Sequence, residues 1–264
     1  MTRPPSKPGS PLLLTFDGPL AVLTIDNPPQ NVFDEEMLQA WLTTVEWLAQ
    51  NPPRALLVRA NGRIVSSGLD VRIFAENRQA EDYWRRNLRI TQTLERLPMP
   101  TVFAAHSLTL TAAFEIALAC DFIVATSAAR FGLVERRVAF TPAMGGTQRL
   151  AARAGPARAR ELVMTGNLYR GSVLTDWGVV SALYEPAVFH DAAHGFAMDL
   201  AEGPSQAHAA TKRVIQEYLQ GGVAAADALL PAAAAGVAGT EDHRRGVTAF
   251  LASGPSHSTK YHGR

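Results

Sequence analysis

Short apolar runs alternate with stretches of helical period over most of this chain, and that alternation restricts its fold more than any other feature. Residues 12–16, 20–25, 55–60, 101–105, 122–125 and 179–184 read as strands, being bounded runs rich in apolar and β-branched residues. Asp17-Gly18 makes a hairpin of the first two. Asp34 then precedes Met37, Leu38, Trp41, Leu42, Val45 and Leu48, a stripe at helical spacing that Asn51-Pro52-Pro53 ends. Further helices are expected over 79–97, stopped by Pro98 and Pro100, and over 112–120, 145–153, 157–165 and 173–177. From about residue 187 the pattern is helical, with Pro204, Gly221-Gly222 and Pro231 as punctuation. Strands separated by helices pair in parallel, so the chain reads as an α/β protein with a helical C-terminal module.

Composition removes several classes of function. The 264 residues carry 25 Lys plus Arg and 24 Asp plus Glu, a formal charge of +1, which gives no basic footprint for a nucleic-acid partner. Cys120 is the one cysteine, so neither a disulfide framework nor a Cys-rich zinc site is expected. Residues 1–11 hold four prolines and no apolar h-region, and read as an extended tail rather than a signal peptide. The longest apolar run, 101–125, is cut by His106, Glu115 and Asp121 and falls short of the ~20 residues of a membrane span. The expectation is a cytoplasmic protein without a membrane partner. Walker-type, Gly-x-Gly-x-x-Gly, His-Glu-x-x-His and Gly-x-Ser-x-Gly patterns are absent. His190 and His194 are four apart on an expected helix, but with no third ligand nearby they read as a solvated face, and no metal is expected.

Chemistry concentrates in two segments. Residues 63–71 directly follow a strand. Residues 100–121 run from a strand through a loop of small residues into a helix. Free N–H groups at such a helix start carry partial positive charge, and a thioester oxygen placed there would be polarised as it becomes an enolate. Glu115 falls in the first helical turn between Phe114 and Ile116, and Glu135 follows Phe131-Gly132-Leu133-Val134. A carboxyl in apolar surroundings has a raised pKa, a second carboxyl nearby raises one of the two further, and such a pair can exchange protons with water and with carbon. The competing reading makes Glu115 a complement to the helix dipole and Glu135 an ion-pair partner of Arg136 or Arg137.

With these segments in view, the chain resembles the crotonase family, the enoyl-CoA hydratase/isomerase superfamily, from about residue 12 to residue 250. Asn27-Pro-Pro-Gln-Asn31-Val-Phe, Ser67-Gly68-Leu69-Asp70-Val71, Phe131-Gly132 with Glu135, Pro142-Ala-Met-Gly145-Gly146-Thr147-Gln148-Arg149-Leu150, Leu162-Val-Met-Thr165-Gly166 and Gly246-Val-Thr-Ala249-Phe250 carry the resemblance. It implies a spiral of ββα units. Residues 12–200 would form the α/β core, and 201–264 a helical region that builds a homotrimer or hexamer. It implies that the backbone N–H groups of Leu69 and Ala112 form the oxyanion hole and that Glu115 and Glu135 are catalytic. Substrate contacts would fall to Arg63, Val65, Ser67, Asp70 and Thr111, with Arg63 at the nucleotide part of coenzyme A. No cofactor is implied beyond the coenzyme A of the substrate.

The chain also departs from the family pattern. Where the family writes Asn-Gly-x-Ala-x-Gly-Gly-Gly-x-Glu, this chain has His106-Ser-Leu-Thr-Leu-Thr111-Ala112-Ala113-Phe114-Glu115. Three glycines have gained a Cβ, which crowds the oxyanion loop. The basic and aromatic residues usual after Ala249-Phe250 are replaced by Leu251-Ala-Ser-Gly-Pro-Ser-His-Ser. The first expectation is therefore an enzyme that adds water to, or removes it from, the 2,3-bond of an acyl-CoA. An enoyl-CoA isomerase or other thioester lyase, a β-diketone C–C hydrolase with His106 as base, and a non-catalytic scaffold stay open.

Overall fold

The computed structural model describes residues 9–75, 81–255 and 259–264. Most of the tail expected over 1–11, the start of the helix expected over 79–97, and three residues of the altered C-terminal segment lie outside the described residues.

The main sheet has six strands in the order β1 (Leu12–Asp17), β2 (Leu20–Ile25), β4 (Ala55–Ala60), β6 (Thr101–Ala105), β8 (Phe122–Thr126), β11 (Ala182–Tyr184). β1 pairs antiparallel with β2, with Leu12 opposite Ile25, and every later pairing is parallel. The alternation along each strand sorts residues to two cores. Leu23, Leu56, Val58, Phe103 and Ile123 face one, against helices α1 (Glu35–Gln50), α3 (Glu81–Glu95) and α4 (Ala112–Ala119). Leu20, Val22, Leu57, Val102 and Val124 face the other, against Phe189, Ala193, Ala197 and Ala201 of α8 (Phe189–Glu202). A parallel sheet covered on both faces is why these strands read as continuous apolar runs.

Five further strands are too short to show a period: β3 (Val32–Phe33), β5 (Gly68–Leu69), β7 (Thr109–Leu110), β9 (Arg130–Gly132) and β10 (Tyr169–Arg170). β3 and β5 pair with each other, and β10, β9 and β7 form a three-stranded sheet. The remaining helices are α2 (Arg72–Ala75), α5 (Gly146–Ala154), α6 (Pro156–Thr165), α7 (Gly171–Asp176), α9 (Ser205–Ala238) and α10 (Glu241–Ser253).

The helix expected from Asp34 is α1: Asp34 Oδ1 accepts the Met37 N–H at 2.9 Å, and Met37, Leu38, Trp41, Val45 and Leu48 are buried. The strand expected over 179–184 begins only at Ala182, because the Val179 and Val180 N–H groups turn back to the Leu174 carbonyl. Of the expected punctuation, Gly221-Gly222 is realised as a break in α9 at Gly222, where φ is 75° and ψ −172°, whereas Pro231 is a correction, because the helical backbone runs through it. The expectation that no segment approaches a membrane span is also corrected. α9 is long enough for one and reaches a mean hydropathy of 1.4, although the Gly222 break divides it. His194 faces Asp17 at 3.1 Å while His190 packs near the His106 ring, so the two histidines have different partners.

Asp34→Ala removes the α1 N-cap and is expected to cost about 1 kcal/mol of stability, read as a lower urea midpoint at unchanged m-value.

Candidate active site

The short strands bring two loops against the start of α4. Ser66 Oγ donates to the Asn31 carbonyl at 2.5 Å and accepts the Gly68 N–H at 2.9 Å. The Ser67 and Asp70 N–H groups reach the carbonyls of Gln30 and Phe33 at 3.0 Å each. Gly68 adopts φ +99°, a conformation that side chains rarely take. On the facing loop the Thr111 N–H donates to the Gly132 carbonyl at 2.9 Å, and the Glu115 N–H closes the first turn of α4 onto the Thr111 carbonyl at 2.8 Å.

Between these loops lies a cavity of about 180 Å³, lined by Ser67, Leu69, Thr111, Ala112, Glu115 and Glu135. Phe74, Trp84 and Phe140 close it as an aromatic wall, with ring centroids 4.8–5.8 Å apart. All eight residues of α4 are buried, Glu115 among them. Glu115 Oε1 accepts the N–H groups of Met144 at 2.8 Å and Gly146 at 2.9 Å, the latter at the start of α5. A Cβ on Gly146 would come within 2.7 Å of Glu115 Cγ, so only glycine permits this approach. Burial raises the Glu115 pKa to about 7, against the opposing pull of the two N–H donors and the Arg149 guanidinium.

Glu135 opens a single 3₁₀ turn, Glu135–Val138, whose carbonyl accepts the Phe140 N–H at 3.1 Å. Its Oε2 is buried without a hydrogen-bond partner among the described residues. Burial, reinforced by the charge of Glu115, raises its pKa to about 8. The ion-pair alternative is not realised for Arg136, which donates to the Thr165 carbonyl at 2.9 Å. Glu115 and Glu135 thus meet in one cavity with different environments. One carboxylate is anchored by two donors, and the other carboxyl keeps a bare oxygen.

The other expected residues separate. Leu69, Ala112, Thr111 and Ser67 line the cavity, and Ala112, as the first residue of α4, presents an N–H with no partner in its own helix. The Leu69 N–H, however, donates to Thr111 Oγ1 at 2.8 Å. Val65 is fully buried in the core, with its N–H on the Leu108 carbonyl at 3.0 Å. The Asp70 carboxylate is held by the Arg72 guanidinium at 2.8 Å and lies outside the lining. Arg63 is exposed and also outside it. His106 points its Nε2 at the Gly62 carbonyl, 3.1 Å away, and is absent from the lining, and burial lowers its pKa. Sequence reasoning missed the aromatic wall, whose members sit far apart in the chain, and the Met144 and Gly146 donors. The only linear signal for those donors is the Gly145-Gly146 pair.

Residues 15–259 match the sequence pattern of a family described as enoyl-CoA hydratase/isomerase. A probable enoyl-CoA hydratase of Bacillus subtilis is 31% identical over 172 residues, covering 64% of this chain and 67% of its own. A 2,3-dehydroadipyl-CoA hydratase of Escherichia coli is 27% identical over 248 residues, covering 92% and 96%. The crystal structure of an enoyl-CoA hydratase from Polaromonas superposes with a TM-score of 0.85 at 25% identity, over 95% of this chain and 98% of that one. The crotonase-type α/β fold with a helical C-terminal region is the one observed.

The raised carboxyls set the pH dependence of stability. The folded state binds these protons more tightly than the unfolded chain, whose Glu pKa is about 4.3, so the stability these two groups contribute is fully present below that value and is lost as pH rises through about 7 and 8. Glu135→Gln is expected to melt above wild type at pH 9 and level with it at pH 4, in calorimetric scans at both pH values.

Proposed function

The chain belongs to the enoyl-CoA hydratase/isomerase family, and on that premise we propose that it hydrates, or dehydrates in reverse, the 2,3-bond of an acyl-CoA thioester. The observation that carries this reading is the pair of buried carboxyls with unlike environments in one cavity, beside the N-terminus of α4. With the thioester oxygen at the Ala112 N–H, charge that develops on that oxygen meets a helix N-terminus in a site closed by apolar walls. Glu115, whose two N–H donors favour the anion, accepts a proton from water as the water oxygen bonds to C3. Glu135, held neutral by burial and by the Glu115 charge, delivers a proton to C2. The pair has then exchanged protonation states, and proton exchange with solvent resets it. Isomerisation needs one carboxyl to carry a proton between two carbons, so a second, anchored carboxyl favours hydration. The diketone reading loses its base, because His106 stands outside the cavity.

The aromatic wall and the small cavity favour a compact acyl group. The exposed Arg63 would meet the nucleotide phosphates. Exposed Ile215, Tyr218, Leu219, Val223 and Leu230 on α9 give a homotrimer or hexamer its contact face.

Purified protein mixed with a panel of 2-enoyl-CoA esters is expected to bleach the conjugated-thioester absorbance. Glu135→Gln is expected to lower the rate about 10²–10⁴-fold, the contribution of a general acid–base group. An E135Q protein at the wild-type rate overturns the assignment. The kcat/KM profile is expected to be bell-shaped, with limbs near pH 7 and pH 8 from the base and the acid. Arg63→Ala is expected to raise KM for the CoA ester and leave kcat unchanged.

A further inference from the structure

Thr111 carries three features that the catalytic scheme leaves unexplained. Its backbone sits at φ 46° and ψ −118°, a region suited to glycine, where a β-branched residue is strained. Its hydroxyl does not cap α4, the usual reason for a threonine before a helix. The oxygen instead accepts the Leu69 N–H at 2.8 Å, while its own proton has no acceptor among the described residues. Thr111 is buried and lines the cavity together with Ala112, Glu115 and Glu135. The approach is close: a Cβ on Gly68 would collide with Thr111 Oγ1. The strained backbone therefore places a hydroxyl on top of one expected oxyanion donor and next to the other.

We propose that Thr111 is a catalytic oxyanion donor: its hydroxyl accepts the Leu69 N–H and donates its own proton to the thioester oxygen, beside the Ala112 N–H. This rests on the thioester reading and deepens it. A hydroxyl has one proton to give and lone pairs to receive, so it can stand between an amide and an oxyanion without itself ionising. The N–H behind it polarises the O–H, since hydrogen bonds in a chain strengthen one another in a low-dielectric site. As the carbonyl becomes an enolate, the O–H···O⁻ contact becomes charge-assisted and shortens. The hole thereby moves one hydrogen-bond length out from β5 toward α4, and the acyl group moves with it. No bond to Thr111 forms, and its proton remains on Oγ1.

The test uses acetoacetyl-CoA, whose enolate absorbs in the near ultraviolet, together with turnover of a 2-enoyl-CoA ester. Full-length wild type is compared with Thr111→Ser, Thr111→Val and Thr111→Gly, and melting curves confirm folding of each. T111S keeps the hydroxyl and is expected to match wild type in enolate fraction and kcat. T111V keeps the shape but covers the Leu69 N–H with a methyl group. It is expected to lose about 10²–10³-fold in kcat, the cost of one oxyanion donor, with KM changing far less. T111G opens the Leu69 N–H directly and is expected to fall between T111V and wild type. A T111V protein with wild-type kcat and enolate fraction overturns the proposal. So does a T111G protein faster than wild type, which would make the hydroxyl an obstruction. If T111V melts early, the comparison of T111G with T111S carries the same decision. Folded wild type that binds neither CoA ester overturns the thioester reading itself, and the relay falls with it. Wild type that binds and turns over the ester, with kcat and enolate fraction indifferent to all three substitutions, overturns the relay alone.

Discussion

Glu115 exchanges bulk water for two backbone N–H groups, and much of the molecule is arranged to make that exchange tolerable. The carboxylate stands on a helix whose residues are all buried, where an unpaired negative charge would be neutralised by taking up a proton or would prevent folding. Met144 and Gly146 supply the donors, the missing side chain of Gly146 supplies the space, and Arg149 supplies a positive charge from behind. Arg149 is itself buried and needs Glu95 at 2.7 Å, at the end of α3. One carboxylate thus ties α4, the start of α5 and the end of α3 into a single charged column. Its position is set by packing in three elements rather than by a mobile side chain.

The sheets divide the work. The six-stranded sheet, filled on both faces, supplies stability and contributes no lining residue to the cavity. The two- and three-residue strands β3, β5, β7 and β9 are short and are anchored in the core by Phe33 of β3 and Phe131 of β9. They fix the backbone of residues 66–70 and 109–111 by hydrogen bonds in which Ser66 serves as a post. Donors held by backbone pairing do not reorganise when charge appears, which is the property electrostatic stabilisation requires.

The large elements were legible because burial imposes a period. Met37 to Leu48 write a helical stripe, and the six-residue runs of β2 and β4 write a covered strand. Glu115 and Glu135 stood out as carboxylates among apolar neighbours, and the structure brings them into one cavity. The contacts that close over long sequence distance were not legible. Phe74, Trp84 and Phe140 carry no mutual spacing signal. The partner of the Leu69 N–H depends on how a residue 42 positions away turns its side chain. Pro231 misled because proline signals a break only where the chain has reason to stop, and the conformational freedom of Gly222 supplied that stop nine residues earlier.

The contact between Gly68 and Thr111 also imposes an order on how such a site can change over generations. While the threonine is present, any side chain at position 68 meets its hydroxyl, and the φ of +99° already disfavours one. If position 111 becomes glycine first, the steric part of that restriction lifts, whereas the reverse order passes through a collision. The two positions therefore form a ratchet: a lineage that acquires the hydroxyl holds its neighbour at glycine, and drift at position 68 must wait for reversion at position 111.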